Sequence, residues 1–397
     1  MIRGKKNFIN PPKLELGLGF LFKIDDSCFE AHANDRKVKK LEGFEFKGEE
    51  VKENEEKQNE EYTLVTMSEL QPRIKNVEKP QKGSKNDNSN KTINQNSNKS
   101  EKKIMSNILV TGATGHLGKA VTESLLKKTD AANISILVRD AEKAADFKAQ
   151  GVNVKIGDYN DYASLIAAFK GIDKVYMVSG NDLVNRIAQQ DNVVKAAKEA
   201  GVKHVVYTSY QRKNEADSSP IAFVGNGHLN TEHKLKESGL TFTILQHGIY
   251  ADMIPIFAGE HLLDNKTIYL PAGDGKTTYV VRTDFADAGA NVLLDESGKY
   301  NNKSIELGGA KGLNWSDIAK LISEITGVEI AYVSPSNEEF TETLTKAHVP
   351  TEYIGLFTAF SNAAKEGEFE NVTNNLENIL GRKPETVATY LKTVYGK

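Results

Sequence analysis

The chain has 397 residues, with 51 basic and 54 acidic side chains, a formal charge of −3 and a pI near 6.3. That balance lacks the basic excess of a nucleic-acid binder, and a single cysteine, Cys28, excludes an internal disulfide and a cysteine-built zinc site. One cysteine agrees with a reducing, cytoplasmic setting. The apolar stretch near the start, Leu16 to Phe22, contains two glycines, is too short to span a bilayer and lacks a following cleavage site.

Taken in order, residues 1–104 read as an extension. Lys47 to Glu61 is dense in Glu and Lys, and from Lys79 onward the chain is Asn, Ser, Lys and Gln with little that is apolar. Such segments cannot bury enough apolar surface to offset chain entropy, so disorder is expected over most of this extension. Phe20, Phe22, Phe29, Phe44 and Phe46 leave room for a small ordered piece within 8–46. Met105 stands just before the first regular segment and is expected to be the natural start.

From there strands and helices alternate. Ile108–Val110 is an apolar run of strand length, followed by Gly112-Ala-Thr-Gly-His-Leu-Gly118 and by Leu117, Val121 and Leu125 at helical spacing. Strands are expected at 134–138, 152–156, 173–178, 204–208 and 241–245. Helices are expected at 141–150, 161–169, 183–200 and a segment ending at Ser238-Gly239. This succession predicts an α/β fold: a Rossmann-like, doubly wound parallel sheet with helices on both faces. Beyond residue 250 the alternation loosens. A turn, Pro271 to Gly275, is expected between strands at 267–270 and 279–282, then helices at 284–294 and 315–326, strands at 304–307 and 328–333, and helices to the end. This part, mainly 250–397, reads as a small α/β cap over the carboxyl ends of the strands, making 105–397 one unit.

The glycine run after the first strand has a physical reading. Gly112 permits the tight turn, Gly115 lets backbone approach a pyrophosphate, and Gly118 allows close helix–sheet packing. The helix N-terminus then offers free N–H groups and its positive dipole end, so Gly112, Ala113, Thr114, Gly115, His116, Leu117 and Gly118 are expected to hold the phosphates. Arg139, at the end of the second strand, suits the 2′-phosphate of NADPH, which favours NADPH over NADH; a surface arginine next to Asp140 is the competing reading. Asp158, at the end of the third strand, is placed to accept from the adenine amino group or simply to open a helix. Ser179, Gly180 and Asn181 end the fourth strand, where backbone passes beneath the cofactor ribose or merely turns. No tyrosine has a lysine four positions on, which argues against ordinary alcohol–ketone chemistry by a Tyr-x-x-x-Lys pair.

These segments, with Val138-Arg139-Asp140, Gly157-Asp158-Tyr159, Gly201 to Ser209, Thr231-Glu232, Ser238 to Leu245 and Pro271 to Lys276, resemble the NmrA-like atypical short-chain dehydrogenases, most of all their bacterial NADPH:quinone oxidoreductase 2 branch. The resemblance covers essentially all of 105–397 and none of 1–104. It implies NADPH-dependent hydride transfer to a quinone, with Ser179–Asn181 lining ribose and nicotinamide. It also implies that His247, Gly248 and Tyr250 close over nicotinamide and quinone. Two positions depart from the family, Gln246 for a common Arg and His247 for a common Asn. His228 stands where some relatives carry a Lys, which leaves it open between a proton relay and a structural histidine. The alternative from another class is a redox sensor that binds NADP(H) without turnover and regulates a partner. Oligomeric state is not readable.

Overall fold

The computed structural model describes residues 106–213 and 215–396; the extension 1–104 and Met105 lie outside them. Seven strands form one all-parallel sheet: β1 (Ile108–Val110), β2 (Ile134–Val138), β3 (Asn153–Ile156), β4 (Lys174–Met177), β5 (His204–Tyr210), β6 (Thr241–His247) and, later in the chain, β8 (Lys303–Leu307). Their spatial order is β3-β2-β1-β4-β5-β6-β8, which puts the order reversal between β1 and β4. In doubly wound sheets the ligand crevice opens at that point.

The strands are continuous apolar runs because helices cover both faces. On one face Val110, Ile136, Val206 and Leu245 pack against α1 (His116–Leu126) and α8 (Arg282–Leu294). On the other, Leu109, Val175, Met177 and Ile244 meet α3 (Tyr162–Phe169), α4 (Arg186–Glu199) and α5 (Ala222–Ser238). The remaining crossover, from β2 to β3, carries a 3-10 turn (Glu142–Ala144) and a short helix, α2 (Ala145–Ala149). Local chemistry sets the boundaries. Asp161 caps α3 by accepting from Ser164 N at 3.1 Å. Gly239 ends α5 at φ 79°. Helix α4 starts at Arg186, three residues later than its apolar pattern suggests. The Asp182 carboxylate captures the amides of Val184 and Asn185 at 3.2 and 3.0 Å and holds that stretch as a turn.

The second core gathers α6 (Met253–Ala258), α7 (Leu262–Asn265), β7 (Thr267–Tyr269), α9 (Trp315–Thr326), β9 (Ala331–Val333), α10 (Asn337–Lys346), α11 (Thr351–Lys365) and α13 (Val387–Tyr395). The chain after 250 alternates between the two cores: α8, β8 and α12 (Asn375–Leu380) return to the main sheet, and Leu376 and Ile379 join its core. A capping box between Asn314 and Asp317 fixes the start of α9.

One expected element is absent. Residues 279–282 form no strand with 267–270; β7 pairs in parallel with β9 instead. The backbone of 277–281 is claimed elsewhere, by Leu313 for Thr277, Phe369 for Thr278 and Ile249 for Val280, and α8 begins at Arg282. Gly275 presses on α11 so closely that a Cβ there would sit 2.3 Å from the Ala364 carbonyl oxygen. The glycine turn therefore docks on a helix instead of closing a hairpin.

Candidate dinucleotide and acceptor site

The glycine turn leaves β1 at Gly112, whose φ of 61° is open to glycine at little cost. A Cβ on Gly118 would lie 2.3 Å from the Gly112 carbonyl oxygen, whereas one on Gly115 would lie 3.3 Å from it. Gly118 is thus demanded by the fold itself. Gly115, at the N-cap of α1, is exposed together with Thr114 and His116, while Ala113 and Leu117 are buried beneath. No side chain caps α1 and its first turn holds no acid, so the first-turn amides face outward unspent. This cradle, with its bare backbone, fits a pyrophosphate. Thr111 stabilises its base by donating to Tyr176 O at 3.2 Å and accepting from Tyr159 Oη at 2.6 Å and Val178 N at 2.9 Å.

Arg139 is exposed one strand over, where β2 ends beside β1, and takes part in no ion pair among the described residues. Its neighbour Asp140 is occupied, accepting from Glu142 N at 2.9 Å. Asp158 lies at the end of β3, where its Oδ1 accepts from Asn160 N at 2.8 Å and Asn160 Nδ2 at 3.0 Å. Ser179 and Gly180 are half-buried at the end of β4, with Asn181 exposed beyond them. Ser179 N is held by Thr208 Oγ1 at 2.9 Å, and its own Oγ is buried without a well-formed hydrogen bond.

His247 and Tyr250 come together on the α8 side. The His247 ring stacks on Phe285 at 4.1 Å and 1°, and its Nδ1 lies 3.1 Å from Tyr250 Oη. Tyr250 meets Phe285 edge-on and carries the Arg282 guanidinium over its ring at 4.4 Å. Arg282 is paired with Asp252. Burial, with the Arg282 charge adding to it, lowers the His247 pKa to about 3; burial raises Tyr250 to about 12. The phenol therefore keeps its proton and the imidazole is neutral; in the tautomer in which the phenol donates to Nδ1, Nε2 carries the ring proton. That Nε2 is buried and unpartnered. Gly248 is walled in: a Cβ would approach Gln211 Oε1 at 2.9 Å and two carbonyl oxygens at 3.1 and 3.2 Å.

On the opposite face a second polar group forms around the Tyr207 hydroxyl, which meets His228 Nδ1 at 2.9 Å. Burial, and secondarily the charges of Arg186 and Arg212, hold His228 well below the usual histidine range. Sequence reasoning missed Arg186. It opens α4, is 4% exposed, donates through Nη2 to the Val224 carbonyl and leaves Nε buried without a partner. The signal that could have found it is the pair Gly225 and Gly227 inside α5, since helix glycines mark close approach. A Cβ on Gly227 would lie 2.5 Å from Arg186 Nε.

The sequence pattern of the NmrA-like family matches residues 105–391. The chain belongs to that family. Quinone oxidoreductase 2 of Escherichia coli (strain K12) is 32% identical over 281 residues, covering 71% of this chain and 96% of that protein. The structure of the NADPH-dependent E. coli quinone oxidoreductase complexed with NADPH superposes with a TM-score of 0.68 at 32% identity, over 73% of this chain and 100% of the other. Triphenylmethane reductase of Citrobacter sp., complexed with NADP(H), gives 0.66 at 35% identity, over 72% and 99%. Among the described residues no helix is long and apolar enough to cross a membrane.

Proposed function

We propose that this chain is an NADPH-dependent reductase that passes hydride to a quinone, acting in the cytoplasm through the unit 105–397, with 1–104 dispensable. The observation that carries the reading is the bare glycine cradle at the head of α1, joined to its likeness to two reductases whose structures hold NADPH or NADP(H). Bound in that cradle, the nicotinamide cofactor supplies the hydride. The residues of the chain bind and orient: Gly112 to Gly118 take the pyrophosphate, Arg139 the 2′-phosphate, Asp158 the adenine edge, and Ser179–Asn181 the ribose. Gly248 keeps backbone close to the ring, and His247 Nε2–H, held by Tyr250, donates to a quinone oxygen. Anaerobic oxidation of NADPH by a simple benzoquinone tests the proposal; tight NADPH binding with no turnover would select the sensor instead.

Arg139→Ala is expected to weaken NADPH by about 1.5–3 kcal/mol, the scale of a hydrogen bond to a charged group, and to leave NADH unchanged. Fluorescence titration with both cofactors checks this, and equal losses would make Arg139 a structural residue.

His247→Phe retains a ring to stack on Phe285 and removes the donor. Its kcat/KM for quinone should fall about 3- to 10-fold, the net value of one neutral hydrogen bond, with NADPH affinity within about threefold. Unchanged quinone kinetics would remove His247 from the acceptor site.

A further inference from the structure

A charge left without a counter-charge in a protein interior is costly, and proteins retain one where it has work to do. Arg186 is such a charge. It is 4% exposed, and no carboxylate pairs with it among the described ion pairs. Its neighbours are neutral: the phenols of Tyr207 and Tyr210, which act on its charge, and His228, which is held uncharged. Ser179, just past the end of β4, places its buried Oγ against the same Tyr207 hydroxyl. One uncompensated cation and one buried hydroxyl therefore meet at Tyr207, which pairs with Met177, the last residue of β4.

We propose that Arg186 and Ser179, backed by the Tyr207–His228 pair, form an oxyanion subsite for a phenolate-like oxygen. Naming a hydroquinone as the natural ligand rests on the quinone reading above. Hydride addition to a neutral quinone transfers two electrons and one hydrogen, so NADPH becomes NADP+ and the product is a hydroquinone monoanion. The second proton comes from solvent. A fixed guanidinium beside the newly charged oxygen stabilises what the hydride step creates and is worth most where water is excluded. The competing role is a brace in which Arg186 holds the Val224 carbonyl of α5. The two roles differ in sign. Removing a brace lowers stability, whereas removing an unpaired buried charge leaves stability unchanged or raises it.

The test uses the full chain, saturated with NADP+, and 4-nitrophenol as the probe, about one unit below its solution pKa. The native protein should bind it as the yellow phenolate. Arg186→Met should bind the phenolate at least tenfold more weakly, with an unchanged or higher thermal midpoint and an NADPH Kd within threefold. Gly227→Ala, whose Cβ displaces the guanidinium without deleting it, should reproduce that loss. Binding of the neutral phenol by the native protein, or phenolate binding by both variants as tight as the native protein's, overturns the subsite. A joint fall of midpoint and NADPH affinity in Arg186→Met overturns it in favour of the brace. If the native protein oxidises no NADPH with quinones yet captures phenolate through Arg186, the subsite stands and the quinone reading falls.

Discussion

Lowering the pH from 7.5 to 5 is expected to cost the folded protein about 4 kcal/mol through His204 and His247 alone. Burial lowers His204 to about 4, with the Lys174 charge contributing, and His247 to about 3. Both titrate near 6.5 in the unfolded chain, so below that value the unfolded state takes up protons that the native state refuses. Stability from a depressed base is present above 6.5 and drains away as the pH falls toward the folded value. At pH 5 each histidine contributes about 2 kcal/mol less than at 7.5, at 1.36 kcal/mol per unit. His228, held low by burial and nearby arginines, pulls in the same direction. Urea melts across this range should show stability falling with a slope approaching three protons, while carboxylates stay mostly charged until lower pH. His247→Phe should remove one proton from that slope. A flat profile between 7 and 5 would mean that these rings are reached by water or protonated in the native state.

The main sheet was legible because parallel strands buried on both faces appear as short apolar runs, such as Ile108–Val110 and Ile134–Val138, punctuated by helices with their own stops. The helix expected at 315–326 is α9 to the residue, and the capping box of Asn314 and Asp317 that fixes its start is local chemistry. What failed was non-local. Tyr279 to Arg282 has strand composition, but its backbone partners come from 249–251, those of Thr277 and Thr278 just before it from 313 and 369, and no local pattern names them. The glycine cradle was readable because its spacing states its own geometry. The Arg186 group was not, because an arginine in the first turn of a helix usually points to solvent. Only its contact with Gly227 and its place above Tyr207 give it meaning. His247 and Tyr250 were found as neighbours in sequence, but their stacking on Phe285 depends on α8, some 35 residues on.

The last two glycines of the cradle should separate fold from binding when each is changed to alanine. At Gly118 the new methyl carbon would sit 2.3 Å from the Gly112 carbonyl oxygen and 2.9 Å from Ala113 N, both backbone atoms that cannot turn aside. Helix α1 must then slide from β1, a cost of about 1–3 kcal/mol or more for forced overpacking, offset by up to about 1 kcal/mol of helix propensity. At Gly115 the methyl carbon would meet only one carbonyl oxygen, at 3.3 Å, and would otherwise project into the space where the proposed pyrophosphate lies. Gly115→Ala should therefore keep its melting temperature within about 2 °C and lose at least tenfold in NADPH affinity, the loss of one close backbone–phosphate approach. Gly118→Ala should lose both stability and NADPH binding, because the moved helix no longer aims its amides. Differential scanning fluorimetry and NADPH titration on the two variants read the pair. NADPH bound normally by Gly115→Ala would show that the pyrophosphate does not lie against that glycine, and the cradle would then be a packing feature of β1 and α1.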